Sequence, residues 1–207
     1  MALTFAVYSA QWVAVIGFLP SIYAQAGFAA GATAGLTALA AAVNIAGNVA
    51  SGRMLGHGVP PQTLLYTGFC VMGVAAFVAF MSVGIASPAN TSRIALSAGN
   101  GVLPMVRYVA VLLFSMVGGI IPGTLFSLAV QLAPGKDTVS TTVGWMQQWS
   151  ACGQFAGPPL VAWVASRAGG WQWTWVVIGT CCVAGLVLAH LVGARLALSA
   201  SSGASAT

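Results

Sequence analysis

Residues 105–132 read MVRYVAVLLFSMVGGIIPGTLFSLAVQL, with one charged side chain, Arg107, in the whole stretch. A helix rises about 1.5 Å per residue, so about 20 apolar residues cross the hydrocarbon core of a bilayer. This run is long enough. It is also continuous where a barrel strand would alternate, and far too long to be one. Five similar runs flank it, at 3–24, 33–55, 63–85, 141–164 and 171–192. The expectation is an all-α membrane protein of six transmembrane helices forming one domain over 1–198. A Ser/Ala/Gly-rich tail over 199–207 is expected to be disordered.

Composition agrees with this reading. Of 207 residues, 59% are hydrophobic and 3% are charged. A soluble domain needs roughly a quarter of its residues charged to meet water over its surface. The six basic residues, Arg53, Arg93, Arg107, Lys136, Arg167 and Arg195, are scattered, so no nucleic-acid surface is read from them. Cys70, Cys152, Cys181 and Cys182 sit in apolar runs at spacings that match no zinc or redox motif. They are read as packing residues, and no metal or cofactor is expected. The first run lacks a basic start and is long enough to span, so no cleavable signal peptide is expected.

Turn chemistry separates the runs: Gly27, then Gly56 to Pro61, then a longer break from Ser87-Pro88-Ala89-Asn90 to Pro104, then Pro134 to Asp137, then Gly169-Gly170. Six crossings place Arg53, Lys136 and Arg195 on the side of the termini, and Arg93, Arg107 and Arg167 on the other. That is a tie under the positive-inside rule. His57 and the free amine tip it toward cytoplasmic termini in a cell membrane.

Polar residues inside the runs mark the candidate site. Tyr8 and Gln11 stand in the first run beside Trp12. Asn44 and Asn48, four apart, share a helix face with Gly47 and Ser51 near them. Gln147 and Gln154, seven apart, share another, with Ser150 between. An amide without a partner in hydrocarbon costs several kcal/mol. Such groups either tie helices together or face a watery cavity. That three separate runs each present a polar face favours the cavity. No carboxylate lies inside a run, since the one acidic residue, Asp137, falls in a short break. The proton relay expected of proton-coupled carriers is therefore missing from this chain. Arg107 is read as snorkelling to the interface, with an anion contact as the sharper alternative.

Gly17-Phe18-Leu19-Pro20 in the first run and Gly119-Ile120-Ile121-Pro122 in the fourth fall at comparable places in two sets of three runs. Gly and Pro at matching places in two three-helix units point to inverted-repeat transporters and their substrate path.

Three stretches carry a family resemblance. Gly144-Trp145-Met146-Gln147-Gln148, Gly153-Gln154-Phe155-Ala156-Gly157-Pro158-Pro159 and Gly169-Gly170-Trp171 together resemble the eleventh helix and following turn of a major facilitator superfamily transporter. Asn48 to Gly58 is similar to the degenerate Gly-Arg loop after that family's eighth helix, with His57 where an Asp or Arg would stand. Phe5 to Tyr8, Gln11, Trp12 and Gly17 to Pro20 resemble the seventh helix of the cyanate and nitroimidazole permease branch.

The resemblance implies the carboxy-terminal half of a twelve-helix carrier, built of two inverted three-helix repeats. The chain would be a fragment, a truncated homologue, or a half that pairs. It implies a pathway lined by Tyr8, Gln11, Asn44, Asn48, Ser115, Gln147 and Gln154. It implies hinges at Gly17, Pro20, Gly119, Pro122, Gly157 and Pro158, and a cytoplasmic loop holding Arg53 and His57. The partners implied are a small weakly polar or anionic solute, the lipid bilayer, and a missing amino-terminal half or a second six-helix chain. No enzyme activity is expected. Three other readings stand beside it. One is a non-transporting six-helix subunit that pairs with another chain. The second is a homodimer in opposed orientations. The third is an intramembrane serine protease using Ser115 and His190, for which Leu113-Phe114-Ser115-Met116 lacks the glycine-flanked setting.

Overall fold

A computed structural model describes residues 1–25, 27–81, 102–133 and 135–204. Among them every regular element is helical: α1 Ala2–Gln25, α2 Ala30–Gly56, α3 Pro61–Phe80, α4 Val102–Gly118, α5 Ile120–Leu132, α6 Val139–Ala168 and α7 Thr174–Ala204, with short 3-10 turns at Lys136–Thr138 and Trp171–Trp173. The break around Ser87-Pro88-Ala89-Asn90, residues 82–85 of the third expected span, and Arg93 lie outside the described residues.

Five segments are long and apolar enough to cross a membrane: α1, α2, α3, Met105–Leu132 and Trp171–Leu196. The expected fifth span, 141–164, lies within the longer helix α6. Its 30 residues reach about 45 Å, yet its glutamines and two prolines leave it too polar to count with the five. The expected fourth span runs as α4 and α5, separated by Gly119 alone, whose φ of -58° and ψ of -20° stay helical, so the segment is continuous and loosened at one point. Pro122 explains the weakness there, since it has no N–H for the carbonyl of Gly118. The tail differs from expectation: α7 runs on to Ala204, so residues 199–204 are helical where composition predicts disorder.

Glycine ends three helices where the breaks were read. Gly27, Gly58 and Gly169 have φ of 85°, 84° and 77°. The following N–H of Phe28, Val59 and Gly170 reaches back to the carbonyls of Tyr23, Met54 and Ala165 at 3.1, 3.0 and 2.8 Å. That is a Schellman closure, which needs a residue free to adopt the left-handed region.

Two of the four largest helix contacts are parallel pairs. α1 lies along α6, and α2 lies along α4 and α5. A Cβ on Gly153 or Gly157 would collide with the carbonyl oxygens of Ala6 and Ala10. A Cβ on Gly119 or Gly123 would collide with the Asn44 carbonyl and the Ser51 hydroxyl, and one on Gly47 with the Met116 carbonyl. Both seams are small-residue contacts four apart, the device that lets backbones approach in a membrane. α3 runs antiparallel to α7, with Phe69 against Gly185 and Gln62 against Gly193. It also packs on α4 and α5, with Met72 against Gly118 and Ile121 against Gly68. The main core, including Phe5, Leu65, Phe69, Met72, Leu125 and Ile178, fills the space between α1, α3, α5 and α7. The most apolar window of Met105–Leu132 is 61% buried and that of α2 is 17%, so α4–α5 is central and α2 peripheral.

Candidate functional site

The polar side chains of α2 meet α1 and α4 at one knot. The Asn44 amide Nδ2 donates to the Tyr8 hydroxyl at 2.9 Å and to the Ser115 carbonyl at 2.7 Å. Asn48 Nδ2 donates to Asn44 Oδ1 at 3.1 Å and to the Asn44 carbonyl at 3.2 Å. Trp12 Nε1 donates to Ser115 Oγ at 3.1 Å. Ser51 Oγ closes on the Asn48 carbonyl at 2.7 Å. Both Asn44 donors and its acceptor are thus in use, which is what a buried amide needs. Ser115 is fully buried and Tyr8 nearly so, while Asn44 and Asn48 are half-buried. No ionic charge stands in the knot.

The Ser115 carbonyl also accepts from Gly119 N–H at 3.0 Å, the last turn before the helix divides. Asn44 therefore grips α4 at its break, and Gly119 is bare because the Asn44 and Asn48 backbone occupies the place of a side chain.

A second polar contact joins α1 to α6. Ser9 Oγ and Ser150 Oγ lie 2.6 Å apart, and Gln154 Nε2 donates to Ser150 Oγ at 3.2 Å. Gln154 is otherwise exposed, as is Gln147 one helical face along.

The expected pathway residues thus separate. Tyr8, Asn44, Asn48 and Ser115 come together. Gln154 joins a neighbouring contact, and Gln147 joins neither. Gln11 turns the other way: it is buried between α1 and α7, where Cys182 Sγ donates to its Oε1 at 3.2 Å and its Nε2 has no partner. Tyr8 and Gln11 are three apart, and only the contacts of α1 on both sides decide which of them faces α2.

The expected hinges separate as well. Gly119 and Pro122 stand at the division of α4 from α5. α1 passes through Gly17 and Pro20 unbroken, and a Cβ on Gly17 would meet nothing within 4 Å. Gly157 is a contact point against Ala10, and α6 continues through Pro158. Arg53 and His57 are exposed at the end of α2, with His57 Nδ1 2.7 Å from the Arg53 carbonyl. Ser115 and His190 have different partners: Trp12 for the serine, and for the histidine the Tyr66 hydroxyl, 3.1 Å from Nδ1.

Ser9 escaped the sequence reading because a lone serine in an apolar run carries no signal of its own. Its relation to Ser150 appears only when α1 and α6 are laid together. The face of α2 offered a better signal. Thr33, Thr37, Ala40, Asn44, Gly47 and Ser51 recur at alternating steps of four and three, one continuous seam of small and polar residues.

Set against models of known protein families and against curated proteins, the chain matches none.

Proposed function

We propose that this chain is the carboxy-terminal six-helix half of a secondary transporter of major facilitator type, moving a small solute by alternating access. One observation carries the reading. Count α4 and α5 as one crossing and exchange α1, α2, α3 with α4–α5, α6, α7 in that order. The α1·α6 pair becomes the α2·α4–α5 pair, and both are parallel and glycine-mediated. The α3·α4 pair becomes the α7·α1 pair, which is also present, and α3·α7 maps onto itself. The larger contacts keep their partners under this exchange, while the small α6·α7 contact has no α2·α3 counterpart of its size, and such a pattern is what two inverted three-helix repeats produce.

The same pairing supports a sixth crossing. α6 runs parallel to α1, from Ala6 against Gly153 to Ala14 against Val161. A helix laid along a spanning helix spans with it, and its polar face is then met by protein or cavity water. Tyr8, Asn44, Asn48 and Ser115, which the resemblance assigns to a pathway, are the residues that meet in the knot, and Gly119 with Pro122 gives α4–α5 a point at which to bend. The site is uncharged, so a neutral or weakly polar solute suits it better than an anion. Both termini then lie on the cytoplasmic side of a cell membrane.

A second reading has its own support. The exposed face of α6 carries Trp145, Gln147, Gln148, Gln154 and Phe155. Glutamines at that depth need a protein or water neighbour. A non-transporting subunit docked against a second six-helix bundle meets the need equally well.

The test is uptake by reconstituted vesicles from a mixed pool of small neutral and anionic compounds, read by mass spectrometry. Accumulation that depends on the chain and is lost in Asn44→Leu supports transport. Retention no greater than in empty vesicles, for the chain together with whatever copurifies with it, rejects transport and leaves the subunit reading.

A further inference from the structure

At the end of the bundle away from Arg53, between the end of α1 and the start of α2, lies an open cleft of about 650 Å³. That size falls within the range of small-molecule sites, about 300–1,000 Å³. Its walls include Pro20, Phe28, Thr33, Ala34, Thr37 and Ala38, and no lining residue is charged.

Two buried hydroxyl oxygens without a hydrogen-bond partner belong to this wall, those of Thr33 and Thr37, and the Tyr23 hydroxyl also has none. Tyr23 packs on the lining residue Phe28, with ring centroids 5.8 Å apart. Thr33 is only 7% exposed. A helical threonine in hydrocarbon ordinarily donates to the carbonyl one turn back. Thr142, Thr180 and Ser127 do so in this chain, at 2.9, 2.9 and 3.0 Å. Thr33 and Thr37, successive on one face of α2, do not, and neither do Thr4, Thr124 and Thr174 elsewhere in the bundle, but only Thr33 and Thr37 of these five line the cleft. Buried hydroxyls are rarely left unpaired; both oxygens are closed to water as the side chains stand, so a partner in the cleft requires them to turn toward it. Threonine in a helix has two accessible χ1 wells. Each side chain can therefore turn its hydroxyl or its methyl to the cleft.

We propose that this cleft binds a small uncharged molecule with an apolar body and a single hydroxyl or carbonyl group, the polar group pairing with Thr33 and Thr37. The apolar walls of alanine, Phe28 and Pro20 take the body. The lack of any lining charge disfavours an ion. The inference does not rest on transport and holds equally for a membrane subunit.

The experiment uses the full chain in lipid nanodiscs. The probe is para-fluorobenzyl alcohol, read by fluorine NMR, with para-fluorotoluene as its hydroxyl-free counterpart. Both partition into lipid, so the comparison between them is internal. The Thr33→Val/Thr37→Val double variant keeps the shape of the wall and removes both hydroxyls. It is expected to weaken alcohol binding about tenfold, the loss of a hydrogen bond or two, and to leave toluene binding unmoved. Ala34→Trp fills the cleft and is expected to abolish both. Alcohol binding that is absent, or unchanged in the double valine variant, overturns the proposal and leaves ordered water as the partner of the hydroxyls.

The source of the ligand is read separately in Ala34→Cys, against the parent chain as background for the native cysteines. Labelling by a membrane-impermeant thiosulfonate supports the cleft and assigns an aqueous solute. Labelling only by a lipid-soluble maleimide supports it and assigns a bilayer component. Labelling by neither overturns it.

Discussion

The side-chain amide of Asn44 donates one hydrogen to the Tyr8 hydroxyl, 2.9 Å away on α1, while its other hydrogen holds the Ser115 carbonyl on α4. One residue of the peripheral helix α2 thus ties together two helices of the bundle. Removing it takes the donor from the buried Tyr8 hydroxyl and leaves the Ser115 carbonyl with the Gly119 N–H alone. Asn44→Ala is expected to destabilise the fold by about 1–3 kcal/mol, read as a lower midpoint of thermal unfolding in detergent. Gln147→Ala, on an exposed side chain, is expected to stay within about 0.5 kcal/mol. Equal effects of the two changes would remove Asn44 from any central place in the knot.

The α1·α6 seam predicts a sharper loss. Gly157 faces the Ala10 carbonyl so closely that a Cβ cannot be accommodated without moving backbone. Gly157→Val should separate the two helices and prevent recovery of monodisperse protein by gel filtration. Gly17→Ala is the control on the same pair of helices, because a Cβ there meets open space. Relieving the helix of a glycine should stabilise it by about 0.5–1 kcal/mol. A stable Gly157→Val protein would show that α1 and α6 pack differently.

How much of this was open to a reader of the chain alone depends on what kind of interaction decides each feature. Hydropathy is local, so the apolar helices and their glycine stops at Gly27, Gly58 and Gly169 could be read directly. α6 was harder, because its glutamines lower its hydropathy and only its position beside α1 supports a crossing. The knot was half visible. Asn44 and Asn48 share a face by spacing, but their partners on α1 and α4 are set by tertiary contacts that no spacing encodes. Gln11 shows the limit most plainly. It has the same chemistry as the amides of the knot and stands three residues from Tyr8, yet it is buried against Cys182 on the far side of α1.

The break at Gly119 carries a prediction about bending. Pro122→Ala restores an N–H for the Gly118 carbonyl and should join α4 and α5 into one helix. The variant is expected to unfold at a higher temperature and, on the transport reading, to exchange more slowly between its two faces. Spin labels placed at Val109 and Val130, exposed residues on either side of the break, would report a narrower distance distribution. An unchanged distribution would mean that Pro122 does not set the break.

Topology tests the sixth crossing directly. Asp137 lies in the turn that precedes α6 and Gly169 closes its other end. If α6 crosses beside α1, Asp137→Cys and Gly169→Cys emerge on opposite sides of the membrane. In intact cells, a membrane-impermeant maleimide should then label Gly169→Cys, and label Asp137→Cys only after the membrane is opened. That sidedness follows from cytoplasmic termini, and the reverse pattern would invert the protein without disturbing the fold. Labelling of both from one side is the outcome that matters most, because α6 would then re-enter where it began. The exchange of the two three-helix sets would no longer hold, and the case for a carrier half would fall with it.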